Sequence, residues 1–293
     1  MKTIGFIGLG NVGSPAAINL LKAGFEVHGY DIRPNAAFIA AGGQMEPSLS
    51  GLASCQCVVQ SLPSQSALID IVSGLLPLLA RESVVIDISS YPLDIKQAQA
   101  ERLHQSGVRM LDCEVSGLPH QVENRSAVLF KSGDKATIER CQPIFDAITD
   151  RHFYLGEFGA ATKMKLIANM MVCVHDLMAA EALNFGKSVG LDPAQMVEVL
   201  GPSAAGSATF SNKAPLMLSR EFANGRGPFR HMFGYLERAQ ALARSALTPP
   251  ATPLLDCTRK VFDVAQQQGR HDQDIAAMIA VIETLHSREA ARV

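Results

Sequence analysis

Hydrophobic and polar positions divide the chain into two halves of different character. From Ile4 to about residue 155, short apolar runs alternate with longer stretches whose apolar residues recur at helical spacing. The runs Ile4–Ile7, Phe25–Tyr30, Cys57–Ser61, Val84–Asp87 and Val108–Asp112 predict strands. Two more, Ala127–Lys131 and Phe153–Leu155, complete the series. Ser14–Ala23, Ser66–Leu79, Leu93–Ser106 and Ala136–Ile148 predict the intervening helices. This alternation is the pattern of a doubly wound parallel sheet covered by helices on both faces.

After Gly159 the strand-like runs stop. Thr162–Val189 contains no proline and only Gly186 as an interior glycine, and its apolar residues cover more than one narrow stripe. A helix apolar on several sides must be buried on several sides. It is expected to form the spine of an all-α domain and to pack against a second copy of itself, which favours a homodimer or homotetramer. Further helices are expected at Pro193–Leu200, Arg230–Ser245, Pro253–Gln268 and Gln273–Leu285, with Pro249-Pro250 as a break. Ser203 and Ser207 are readable either as pocket lining or as helix caps.

The first predicted strand runs straight into Gly8-Leu-Gly10-Asn11-Val12-Gly13. A helix follows, and the next strand ends on Asp31. Strand, glycine turn, helix, strand and acid form the order a dinucleotide site needs. Gly8 permits the tight turn, Gly10 admits a pyrophosphate close to the backbone, and Gly13 lets the helix approach the strand. The helix N-terminus offers unpaired N–H groups to the phosphates. The expected fold is therefore α/β: a Rossmann domain over residues 1–160 and an all-helical substrate and oligomerisation domain over 161–293. Asp31 can accept hydrogen bonds from the adenosine ribose and repel a 2′-phosphate, so NAD is preferred, while Arg33 leaves NADP open.

At 293 residues the chain is long for one core. A formal charge of −2 offers no footprint for nucleic acid or an anionic membrane. No uninterrupted apolar window has the length of a membrane span, and the first strand begins so early that a cytoplasmic location is expected. The six cysteines read as buried thiols; Cys55 and Cys57 alternate in an apolar run and are expected on one face, with no metal site implied.

A second group carries chemistry. Asp112-Cys-Glu114-Val115-Ser116-Gly117 ends a predicted strand and enters a loop, and Lys165 and Asn169 lie four apart on one face of the long helix. With these residues the chain resembles the β-hydroxyacid dehydrogenases, which include 3-hydroxyisobutyrate dehydrogenase. The family's glycine turn matches Gly8, Gly10 and Gly13, followed by Asn19-Leu20 and Gly24. Its D-x-P-V-S-G-G segment matches Asp112, Val115, Ser116 and Gly117, and its later glycine-rich segment matches Gly156, Gly159 and Lys165. Leu62-Pro63 and Asp87-Ile-Ser-Ser90 fall where the family's cofactor-contacting loops lie. The resemblance implies hydride exchange between a nicotinamide cofactor and a small carboxylate-bearing β-hydroxyacid. It gives Lys165 the proton, Asn169 the fixing of geometry, and Ser116 with Gly117 the carboxylate. Gly8, Gly10, Asn11, Val12, Gly13, Asp31, Leu62, Pro63 and Ser90 then hold the cofactor.

This chain departs from the family pattern around the substrate. Leu118 and Arg125 replace glycines, Glu114 replaces a proline, and Leu236-Glu237-Arg238 aligns with a family K-D-L. A different substrate is expected rather than lost chemistry. Two rival readings are a nucleotide-binding scaffold without turnover and an imine reductase; the presence of Lys165 argues against both.

Overall fold

The computed structural model describes residues 2–223 and 227–290. The chain forms two compact units, Met1–Lys165 and Leu166–Val293, so the division falls inside the long helix rather than at residue 160.

The first unit holds an eight-stranded sheet of β1 (Thr3–Ile7), β2 (Glu26–Tyr30), β3 (Gln44–Met45), β4 (Cys57–Gln60), β5 (Val84–Asp87), β6 (Arg109–Ser116), β7 (Val128–Ser132) and β8 (Arg151–Tyr154). Their order is β3-β2-β1-β4-β5-β6-β7-β8. The helices are α1 (Gly13–Lys22), α2 (Ala36–Ala40), α3 (Gln65–Leu75), α4 (Leu93–Gln105), α5 (Pro119–Glu123), α6 (Lys135–Arg140) and α7 (Gln142–Ile148). Strand residues alternate between two cores, as a period of two requires. Val59, Ile86 and Leu111 pack with Ala17 and Leu20 of α1 and Phe145 of α7. Val58 and Val85 pack with Leu68 and Val72 of α3 and Leu103 of α4.

Four local expectations change. β6 does not stop at Asp112 but continues to Ser116, because residues 112–116 pair with β7. That pairing is antiparallel, the one exception to a parallel sheet. The link across residues 117–127 carries only the short α5 and is shorter than the dozen or more residues a parallel crossover needs. The helix expected over 136–148 is two helices, separated at Cys141, with Pro143 opening the second. Cys55 precedes β4 and packs in the α3 and α4 core, whereas Cys57 packs in the opposite one.

α8 (Ala160–Ser188) runs from the first unit into the second, which continues with α9 (Pro193–Leu200), α10 (Ala208–Ser219), α11 (Phe229–Ser245), α12 (Pro253–Gln267) and α13 (Met278–Ala290). α10 has no counterpart in the sequence expectations. Pro215 inside it obscures the helical signal, and Ser207 caps it by accepting from the Phe210 N–H at 3.0 Å. A short 3₁₀ turn over Ile275–Ala277 precedes α13 where a single helix was expected. By length and composition α8 is long and apolar enough to cross a membrane, although charged residues break up its apolar run. Its buried residues Leu166, Cys173, Leu177, Ala180 and Leu183 belong to the core of the helical unit.

That core contains an uncompensated acid. Lys213 Nζ donates to both carboxylate oxygens of Asp274 at 2.8 Å. Asp176 on α8 is fully buried, and neither of its oxygens has a hydrogen-bond partner among the described residues. Burial pushes its carboxyl well above the ordinary range, against the pull of Lys213 and with the help of Asp274. A raised folded-state value means that the folded state binds more protons, so stability declines as pH rises above the ordinary carboxylate range. Asp176→Asn is therefore expected to unfold at higher denaturant concentration than the parent at pH 8. The difference should shrink towards pH 4 with a slope of up to about 1.4 kcal/mol per pH unit. Equal pH dependence of the two proteins in urea titrations would contradict this.

Candidate active site

The expected cofactor residues gather at the carboxyl ends of β1, β2, β4 and β5. The order reverses between β1 and β4, the switch point where ligands bind in such sheets. Gly8 has φ +84°, and a Cβ there would sit 2.1 Å from the Ser61 carbonyl oxygen. A Cβ on Gly13 would sit 1.9 Å from the Gly8 oxygen. Neither position accepts a side chain, so turn and helix are locked together. At Gly10, by contrast, a Cβ would meet nothing within 4 Å, which leaves open space above the turn. Asn11 and Val12 lead into α1, whose first turn has no side-chain cap and no acidic residue. That end is electrostatically suited to a phosphate.

Asp31 follows β2 and is held by backbone. Leu9 N–H donates to its Oδ2 at 2.7 Å and Arg33 N–H to its Oδ1 at 3.0 Å. Both bonds leave lone pairs on the carboxylate for hydroxyl donors. Leu62 and Pro63 follow β4, where the Leu62 N–H bonds Ser89 Oγ at 2.9 Å and its carbonyl accepts from Tyr91. Among the described residues, no group of three or more His, Cys, Asp or Glu is placed to hold a metal ion.

Beneath these loops lies a buried ionic cluster that the sequence did not reveal. Asp87 ends β5, while Asp112 and Glu114 occupy alternate positions of β6 and so share one face. Lys96 of α4 is fully buried among them. Its Nζ lies 2.5 Å from Asp112 Oδ1, 3.0 Å from Asp87 Oδ2 and 3.7 Å from Glu114 Oε1. It also donates to the Ser89 carbonyl at 3.0 Å. Three carboxylates against the cost of burial raise the Lys96 ammonium well above its usual value. Asp112, although buried, is held below the carboxylate range by Lys96 and by hydrogen bonds from Thr162. Burial raises Glu114 to about 7, against the pull of Lys96 and Ser90. Ser90, expected at the cofactor, directs its hydroxyl to Glu114 Oε2. One signal for Lys96 was present: Lys96, Gln99 and Leu103 form the buried stripe of α4 at helical spacing.

The start of α8 is fastened to β6 through this cluster. Thr162 N–H and Oγ1 bond the two oxygens of Asp112 at 3.0 and 2.8 Å. One turn on, Lys165 Nζ donates to the Val115 carbonyl at 2.8 Å. Burial lowers its ammonium from the ordinary lysine value, and Glu114 opposes that shift. Ser116 and Gly117 follow immediately at the end of β6. Asn169, four residues beyond Lys165 on α8, is buried, and its Nδ2 has no hydrogen-bond partner among the described residues.

The departures in the 117–127 loop have local explanations. Leu118 sits at φ −86°, which needs no glycine. Arg125 takes φ +62°, a left-handed conformation that a glycine adopts more easily. Its guanidinium bonds Asp150 and the Asp146 carbonyl, a surface pair rather than a substrate clamp. Leu236 lies fully buried in α11.

A doubly wound sheet with this open glycine turn, an acid at the end of β2 and an uncapped helix has the features of a dinucleotide-binding protein. Residues 3–156 match the family model described as the NAD binding domain of 6-phosphogluconate dehydrogenase. Residues 159–282 match that described as NAD-binding of NADP-dependent 3-hydroxyisobutyrate dehydrogenase. The chain belongs to the β-hydroxyacid dehydrogenase family of oxidoreductases. It is 28% identical to glyoxylate/succinic semialdehyde reductase 2 of Arabidopsis thaliana, covering 98% of this chain and 81% of that one. It is 29% identical to 3-hydroxyisobutyrate dehydrogenase of Pseudomonas aeruginosa, covering 93% and 95%. The crystal structure of a 3-hydroxyisobutyrate dehydrogenase from Salmonella typhimurium shares the fold with a TM-score of 0.86 at 24% identity, over 96% of this chain and all of that one.

Removing Lys96 would leave Asp87 and Asp112 buried without their shared countercharge, and Glu114 with only the more distant Lys165. Lys96→Met is expected to lose about 3–5 kcal/mol of stability at pH 8. The loss should be smaller at pH 5, where carboxyls take up protons more readily. Urea unfolding at both values checks this; a change below about 1 kcal/mol at pH 8 would show the cluster to be dispensable.

Proposed function

We propose that this protein interconverts a small β-hydroxyacid and its semialdehyde or keto acid, with Lys165 as proton donor and acceptor. The observation that carries this reading is the placement of the Lys165 ammonium. It is fixed on the Val115 carbonyl, beside Ser116, at the same edge of the sheet as the open glycine turn. A bound nicotinamide supplies or accepts the hydride. Lys165 then gives a proton to the forming alkoxide during reduction, or takes one from the alcohol during oxidation. A free lysine has a pKa of about 10.4, too high for this exchange near neutrality, and burial moves Lys165 in the required direction. Ser116 and the Gly117 N–H suit a substrate carboxylate, and the Asn169 Nδ2, without a hydrogen-bond partner among the described residues, suits a substrate oxygen.

Asp31 favours NAD, because its carboxylate is fixed by two backbone N–H groups and would repel a 2′-phosphate. The half-exposed Ile167, Met171, Met178 and Phe185 of α8 support assembly as a homodimer or homotetramer. The curated relatives act on substrates named in their descriptions, among them 3-hydroxyisobutyrate, and such small hydroxyacids are the first to test here.

A panel of small β-hydroxyacids, followed by absorbance of the reduced nicotinamide, is expected to identify a substrate with higher kcat/KM for NAD than for NADP. Lys165→Ala should bind the dinucleotide normally and lose turnover by about a thousandfold or more. Undiminished turnover in that variant would remove Lys165 from the chemistry. A higher kcat/KM with NADP would show that Arg33 outweighs Asp31.

A further inference from the structure

Glu114 stands where the family pattern has a proline, and it occupies the face of β6 along which α8 begins. Asp112, Glu114 and Ser116 alternate on that face, and Thr162 and Lys165 are one helical turn apart on α8. Thr162 bonds Asp112, and Lys165 bonds the carbonyl of Val115, the residue after Glu114. The strand and the helix therefore run in register, with the Glu114 carboxylate and the Lys165 ammonium electrostatically engaged. Glu114 is itself buried and oriented, with Oε2 accepting from Ser90 and Oε1 3.7 Å from Lys96 Nζ. A proline at this position would carry none of these interactions.

We propose that Glu114 is a positioning residue that holds Lys165 in its ammonium form and thereby biases the enzyme towards carbonyl reduction. The inference rests on the proton-transfer role given to Lys165 above. Reduction needs the ammonium, since the substrate oxygen gains its proton from Nζ as hydride arrives at carbon; the neutral amine then regains a proton from water. Oxidation needs the amine. A negative charge nearby favours the first form and disfavours the second.

The charged groups around Glu114 act in known directions. Lys96 from α4 and Lys165 from α8 favour its ionised form, and the Ser90 hydroxyl does the same. Asp112 on the same strand opposes ionisation. Asp87 at the end of β5 shares Lys96, and the residue paired with Glu114 on β7 is the uncharged Phe130. Burial outweighs the favourable contributions and sets the Glu114 carboxyl at about 7. As pH rises through that value, the carboxyl ionises and tightens the hold of Lys165 on its own proton. The ammonium then persists to higher pH than burial alone would allow.

The test is the pH dependence of kcat in both directions for the parent, Glu114→Gln and Glu114→Asp, with thermal melts to establish folding. In Glu114→Gln, the alkaline limb of reduction is expected to move to lower pH by about one unit or more. The ratio of oxidation to reduction at pH 7.5 should rise by about tenfold. Glu114→Asp should return both towards the parent. A folded, active Glu114→Gln with the parent's profile overturns the inference. Should Glu114→Gln fail to fold, the parent protein, reductively ¹³C-methylated on its lysines, supplies the second readout. Its Lys165 resonance, assigned by its loss in Lys165→Arg, should shift through about pH 7 while retaining ammonium character. A resonance with no step there overturns the inference equally. Full turnover in Lys165→Ala would instead sink the proposed function. A dead Lys165→Ala beside an unchanged Glu114→Gln profile would sink this inference alone.

Discussion

Three carboxyl groups on two adjacent strands are buried around one ammonium, and the first unit's working edge depends on that arrangement. Asp87 and Asp112 pair in register across β5 and β6, and Glu114 follows on the same face of β6. Without Lys96 they would repel one another in a medium that screens poorly. With it, β5, β6 and α4 are tied at one point, and their loops leave the sheet from fixed positions. The same cluster reaches the long helix through Thr162. The placement of Lys165 is thus a consequence of how Asp112 is satisfied, since the bonds from Thr162 set the start of α8 one turn before the lysine.

The parts legible in the sequence are those whose physics is local. The glycine turn is one: Gly8 needs a positive φ and Gly13 a missing Cβ, and both demands are written within six residues of each other. The strands β1, β4 and β5 are legible because each is a short apolar run. β6 is not, because its second half, Cys113 to Ser116, is polar at alternate positions and is strand only through pairing with β7. The antiparallel turn of β7 is likewise decided by the length of a link rather than by any residue in it. α10 is concealed by Pro215, which tertiary packing of Phe210, Ala214 and Met217 tolerates.

The ionic cluster is illegible for a different reason. Lys96 is 9 residues from Asp87, 16 from Asp112 and 18 from Glu114, and nothing short of the sheet register brings the four together. A lysine on a helix of mixed composition is most simply solvated. Only the stripe it shares with Gln99 and Leu103 suggests otherwise. Ser90 illustrates the same limit. Its position in a loop at the carboxyl edge is readable, but the direction of its hydroxyl, towards Glu114, follows from a partner on another strand.

The substitution of an acid for a proline in the middle of this motif makes physical sense only with its surroundings. At Glu114 β6 is paired with β7 alone, and a proline there would have no N–H to offer a neighbour. A glutamate restores the N–H but brings a charge into the interior, which is unfavourable unless something answers it. Here Lys96, Ser90 and Lys165 all answer it, and still burial holds the carboxyl near neutrality. Lys165 experiences the same opposition in reverse, with burial lowering its proton affinity and Glu114 restoring part of it. Two coupled groups of opposite charge each make the other's protonation depend on their own. A lysine alone in that environment would have its acidity set by burial only. Paired with Glu114, its acidity also depends on the protonation of a buried residue that is held in turn by Ser90 and Lys96.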